Sequence, residues 1–121
     1  MNKIDNTWIK DWAIEEDPIK EKEASIILIK LFQDFLKDYR IEDKSKSTQN
    51  RYFSHLHALG GHIIEKCIYD EDYKNHKTIN ILLDQLSPYE GPMIYWTNES
   101  WQNELDTVCK RLYKFLKRNN H

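Results

Sequence analysis

Between residues 17 and 40 the chain returns apolar side chains every three or four positions: Ala24, Ile27, Leu28, Leu31, Phe32, Phe35, Leu36 and Tyr39. A helix turns once in ~3.6 residues, so this spacing gathers those groups into one stripe. Lys20, Glu21, Lys22, Glu23, Lys30, Gln33, Asp34, Lys37 and Asp38 fall mostly on the other side. Asp17 and Pro18 supply the start. The aspartate is an acceptor for the free N–H groups of a first turn, and the proline occupies the position where a missing N–H costs nothing.

The same period recurs three times. Ser47 precedes Tyr52, Leu56, Leu59, Ile63 and Cys67; Thr78 opens a run with Ile79, Leu82, Leu83 and Leu86; Thr97 or Asn98 precedes Trp101, Leu105, Val108, Cys109, Leu112, Phe115 and Leu116. No two-residue alternation of strand length competes, and only 3 Gly and 3 Pro interrupt 121 residues. The pattern predicts an all-α, single-domain bundle of four to five helices, at 18–40, 48–69, 78–87 and 98–118. Residues 1–16 form an N-terminal arm packing on the helical domain of 17–121. Trp8 and Trp12 stand four apart, on one side of a short helix in that arm. They either dock on the core or form an exchanged arm at a dimer interface.

"RYFSHLHALGGHIIEK", residues 51–66, holds three histidines and two adjacent glycines. The apolar period runs through Gly60 and Gly61 without losing phase, which predicts one continuous helix; a bend at the glycines is the alternative. Glycine inside a helix costs roughly 1 kcal/mol relative to alanine. Close approach of another helix backbone offsets that, so the pair reads as a helix-crossing notch. On a continuous helix His55 and His62 lie two turns apart, about 10 Å, too far to share one metal. His57 points away from His55. The histidines therefore read as boundary or solvated residues, and no metal or cofactor is expected. Cys67 and Cys109 sit at apolar positions and read as buried thiols. No nucleophile motif occurs, and the carboxylate runs at Glu15–Asp17 and Asp70–Asp72 fit helix-start and loop positions. Catalysis is not expected.

The formal net charge is -2, so no global basic field draws the chain to nucleic acid. Locally, Lys44, Lys46 and Arg51 flank a helix entrance with Ser47, Thr48 and Asn50, a donor-rich arrangement suited to phosphate. Lys110, Arg111 and Lys114, followed by Lys117 and Arg118, form a second basic cluster near a helix C-terminus, where positive charge is favoured anyway. Tyr89, Tyr95 and Trp96 mark an irregular aromatic loop over 88–96 and, with Trp8 and Trp12, are the candidate protein-interface residues. No segment has the apolar length of a signal peptide or a membrane span, so a cytoplasmic location with no membrane partner is expected.

"LFQDFLKDYRIEDKSKSTQNRYFSHLHALGGHI", residues 31–63, resembles the N-terminal core-binding domain of tyrosine recombinases and phage integrases. Phe35, Leu36, Ser47, Thr48, Tyr52, Leu56 and Leu59 carry the likeness. The resemblance implies a small helical bundle that clamps DNA, with the polar connection and the second helix near the phosphates, in a bacterial or phage mobile-element setting. It covers about a quarter of the chain. The family's catalytic arginine, histidine and tyrosine set has no counterpart here, so recombinase activity is not implied. The expectation is a non-catalytic helical binding module that contacts nucleic acid. One alternative is a protein-interaction or homo-oligomerisation domain using the Trp arm and the aromatic loop. The other is a helical enzyme or small-ligand-binding bundle, which requires a closed polar pocket.

Overall fold

A computed structural model describes residues 4–119. Five α-helices occur in chain order: α1 (Thr7–Asp11), α2 (Pro18–Tyr39), α3 (Lys46–Tyr69), α4 (Thr78–Gln85) and α5 (Glu99–Arg118). Short 3-10 turns at Ile41–Asp43 and Glu71–Tyr73 follow α2 and α3. Among the described residues there is no strand, and no helix is long and apolar enough to cross a membrane. The chain is a small all-α bundle, built chiefly from α2, α3 and α5. Its core joins Leu28, Phe32 and Phe35 of α2, Leu56, Leu59, Ile63 and Ile64 of α3, and Leu105, Val108 and Leu112 of α5.

Local chemistry fixes the helix ends. Asp17 Oδ1 accepts from the N–H of Lys20 at 3.3 Å, with Pro18 beside it at the first helical position. α2 closes at Arg40, which takes the left-handed conformation at φ 60°. α3 starts two residues earlier than expected. Its cap is Ser45, whose Oγ accepts from the N–H of Thr48 at 3.2 Å; Ser47 lies within the first turn. The cap position before α4 is Lys77, without a side-chain bond, so Thr78 is a first-turn residue rather than the cap. That helix stops at Gln85, with Leu86 already extended two residues before Pro88. Asn98, not Thr97, caps α5, its Oδ1 accepting from the N–H of Trp101 at 3.0 Å.

α3 runs unbroken through Gly60 and Gly61. The notch is real, but its occupant differs from the helix backbone expected there: it is the indole of Trp12. A β-carbon on Gly60 would overlap the six-membered ring of Trp12, whereas one on Gly61 would stand 3.4 Å from the Trp12 Cδ1, ordinary contact. Trp12 Nε1 donates to the His57 carbonyl at 2.9 Å. The rings of Trp8 and Trp12 meet edge to face with centroids 5.3 Å apart. Both tryptophans are buried, at 0% and 5% exposure, and this removes them from the candidate interface surface.

The turn between α1 and α2 is organised by one carboxylate. Glu21 is buried, contrary to the polar face assigned to it. Its two oxygens accept the N–H groups of Ile14, Glu15, Glu16 and Asp17 at 2.6, 3.0, 2.9 and 2.7 Å. Wrapping four consecutive donors around one anion forces Glu15 to φ 69°. Burial acts to raise the Glu21 pKa, but the four backbone donors outweigh it and hold the carboxyl below its ordinary value.

Candidate functional site

α3 and α5 pack against each other, and a groove of about 770 Å³ lies along their polar edges. Tyr39 from the end of α2, Thr48, Arg51 and Tyr52 from α3, and Glu99, Ser100, Asn103, Glu104, Thr107 and Arg111 from α5 line it. Each side chain arrives there for a simple reason. Thr48, Arg51 and Tyr52 occupy neighbouring positions in successive turns of α3, as do Ser100, Asn103, Glu104, Thr107 and Arg111 along α5.

The floor of the groove is aromatic. The rings of Tyr39 and Tyr52 stack with centroids 4.7 Å apart and planes 19° from parallel. Burial pushes the Tyr52 phenol up, and the neighbouring Tyr39 hydroxyl adds to this. The charges of Arg111 and Arg51 pull it the other way without prevailing. The Lys44 Nζ stands 4.6 Å from the Tyr39 ring centroid and the Arg111 guanidinium carbon 5.2 Å. Both basic clusters of the sequence therefore send a cation to the same tyrosine.

The rim is polar and mixed in sign. Arg51 Nε lies 3.8 Å from Glu104 Oε2. Glu104 Oε1 lies 2.9 Å from Nε2 of His55, and Nδ1 of His55 is 3.1 Å from the hydroxyl of Tyr95. His55 is 4% exposed, so its reading as a boundary or solvated residue is corrected: it is a buried link between α5 and the aromatic loop. His57 pairs with Asp11 at 3.1 Å, and His62 with Gln85 at 3.0 Å. The three imidazoles do not converge. Among the described residues no group of three or more His, Cys, Asp and Glu is placed to hold a metal ion. Cys67 and Cys109 are buried free thiols. Burial pushes both up, so neither carries the low pKa of a reactive thiolate.

Of the sequence candidates, Thr48, Arg51 and Arg111 line the groove and Lys44 stands at its Tyr39 end. Lys46, Ser47, Asn50, Lys110 and Lys114 are exposed and do not line it. Sequence reasoning missed Tyr39, assigned to the apolar stripe, and the α5 edge of Ser100, Asn103, Glu104 and Thr107. A signal for that edge was present. These residues repeat at three- and four-residue spacing beside the apolar face, and they end at Arg111.

The aromatic loop divides. The N–H groups of Ile94 and Tyr95 both donate to Gln102 Oε1 at 3.0 Å, and Gly91 N–H donates to Asp106 Oδ1 at 3.1 Å. These bonds seat Tyr95 inward against His55. Tyr89, Met93, Trp96 and Trp101 remain exposed, Tyr89 and Trp96 at 82% and 80%.

Searches against protein-family models, curated proteins and solved structures found no match to this chain.

Proposed function

We propose that the protein is a non-catalytic helical binding module whose α3–α5 groove takes the phosphate backbone of a nucleic acid. One observation carries this reading: Arg51 and Arg111, far apart in sequence, line a single groove with Lys44 at its end. Thr48, Ser100, Asn103 and Thr107 add hydroxyl and amide groups of the kind that meet phosphate and sugar oxygens. The resemblance of residues 31–63 to integrase core-binding domains favours DNA, and Tyr39, Thr48, Arg51 and Tyr52 all lie within that stretch.

Three cations against the carboxylates of Glu99 and Glu104 make the groove only slightly positive. Glu104 is already engaged with His55 and Arg51, and Glu99 sits in the first turn of α5, where the helix dipole favours it. Binding is therefore modest and salt-sensitive. Two to three phosphate contacts give a loss on the order of ten- to fifty-fold between 50 and 200 mM salt. Fluorescence anisotropy with labelled single- and double-stranded oligonucleotides across that salt range tests it. Arg51→Ala and Arg111→Ala should each weaken binding and lower the salt slope by about one. No binding at tens of micromolar protein in low salt contradicts the proposal.

A second reading has its own observation. Exposed Tyr89, Met93, Trp96 and Trp101 make the 87–101 segment a surface for a protein partner. Substituting Trp96 and Trp101 with serine separates the two readings. It leaves groove binding intact if the loop is a protein surface.

A further inference from the structure

The apolar stripe of α2 is wider than the core it faces. Ala24, Leu28, Phe32 and Phe35 are buried, but Ile19, Ile26 and Ile27 are 75%, 48% and 43% exposed. Ile27, assigned to the core-facing stripe by its spacing, is thus partly exposed to solvent. Glu23, Ile26, Ile27 and Lys30 stand three and four apart and form one contiguous patch on the outer surface of the helix. Ile19 and Asp34 flank it one turn out at its two ends, so the self-complementary part of the face is Glu23, Ile26, Ile27 and Lys30.

The charges on this patch are arranged about its apolar centre. Glu23 stands three residues before Ile26, and Lys30 three residues after Ile27. We infer that this face of α2 binds the same face of a second copy of the chain, the two helices antiparallel about a two-fold axis at Ile26–Ile27. In that arrangement residues equidistant from the axis oppose each other. The Ile26 of each copy meets the Ile27 of the other, and both Glu23 side chains meet the Lys30 of the opposite copy. A two-fold interface requires a self-complementary surface, and this patch is one. Parallel pairing would set Glu23 against Glu23 and Lys30 against Lys30, so the charges select the antiparallel sense.

Glu23 has no ion-pair partner among the described residues, whereas Lys30 pairs with Asp34 at 2.9 Å, both substantially exposed. Exposed pairs of this spacing contribute little, so Lys30 exchanges partners at small cost. The isoleucines supply the affinity and the charges the register. The apolar area is small, which places the dimer among weak, transient associations. This face is separate from the α3–α5 groove, so the inference stands or falls independently of nucleic-acid binding.

Sedimentation equilibrium of the full chain over a wide concentration range tests it, with circular dichroism to confirm folding of every variant. Ile26→Glu should abolish association. Glu23→Lys and Lys30→Glu should each weaken it roughly tenfold or more, because each places like charges opposite one another. The double variant Glu23→Lys with Lys30→Glu should restore it, as should mixing the two single variants. A wild type that stays monomeric at millimolar concentration overturns the inference. So does a dimer that survives Ile26→Glu, or single charge variants that neither the double variant nor the mixture rescues.

Discussion

Adjacent glycines in one helix should respond to the same substitution with opposite signs. Gly60→Ala adds a methyl group where the Trp12 ring lies, its Cε2 only 2.7 Å from the new carbon. The indole cannot yield cheaply. It is 5% exposed, tied by its N–H to the His57 carbonyl at 2.9 Å and packed edge-on against Trp8 and Phe32. Forcing a methyl into a filled core costs typically ~1–3 kcal/mol, and expelling a buried tryptophan ~3–5 kcal/mol. Alanine returns ~1 kcal/mol of helix propensity. The net expectation is a loss of about 2 kcal/mol or more, a fall of roughly 5–10 °C in Tm for a domain this size. Gly61→Ala meets only ordinary contact and keeps the propensity gain, so it should stabilise by up to ~1 kcal/mol. Urea unfolding followed by far-ultraviolet circular dichroism measures both. A double-mutant cycle completes the test. In a Trp12→Leu background the penalty at Gly60 should shrink by at least ~1 kcal/mol, because the clashing ring is gone. If both glycines respond alike, or the penalty at Gly60 survives loss of the indole, Trp12 is not what fills the notch.

Glu21→Gln leaves an amide among four N–H donors, two of which lose their acceptor, and should destabilise the fold by ~2–3 kcal/mol in the same unfolding assay. The folded pKa of Glu21 is lowered from its ordinary value of 4.5. Its contribution is therefore complete above that value and is lost as pH falls through the lower folded value. Stability measured from neutral pH downward should fall below about pH 4.5 in the wild type and show a smaller decline in Glu21→Gln. Arg40→Gly relieves a left-handed residue whose side chain makes only an exposed pair with Asp43, and should raise stability by ~0.5–1 kcal/mol. Gly91→Ala drives a β-carbon to 2.9 Å from Cys109 Cβ and onto its sulfur, and should destabilise the loop–α5 contact by ~1–3 kcal/mol; thermal melts read it.

The helices were legible because they are written in single-element signals. Asp17, Pro18 and Asn98 mark starts, and the apolar period continues through Gly60. What stayed hidden needed contacts between elements. Glu21 has the sequence position of a solvated charge, and only the reversal of the chain over residues 14–17 brings four donors to it. The Gly60 notch was visible, but its occupant arrives from another part of the chain, which no helical period encodes. Of the candidate site, the basic residues could be named but not sorted. Lys44, Arg51 and Arg111 converge on Tyr39 and the groove because the fold brings the end of α2, the start of α3 and one edge of α5 together, while Lys46, Lys110 and Lys114 stand on other faces of their helices. His55 was misread because its partners, Glu104 and Tyr95, come from a distant helix and loop.

The most direct measurement is a two-dimensional amide NMR titration of the isotope-labelled chain with a short DNA oligonucleotide at low salt. Shifts should concentrate on Tyr39, Lys44, Thr48, Arg51, Ser100, Asn103, Thr107 and Arg111, and fade as salt is added. Shifts confined to Tyr89–Trp101, or a spectrum that saturating oligonucleotide leaves unchanged, would contradict a phosphate-binding groove between α3 and α5.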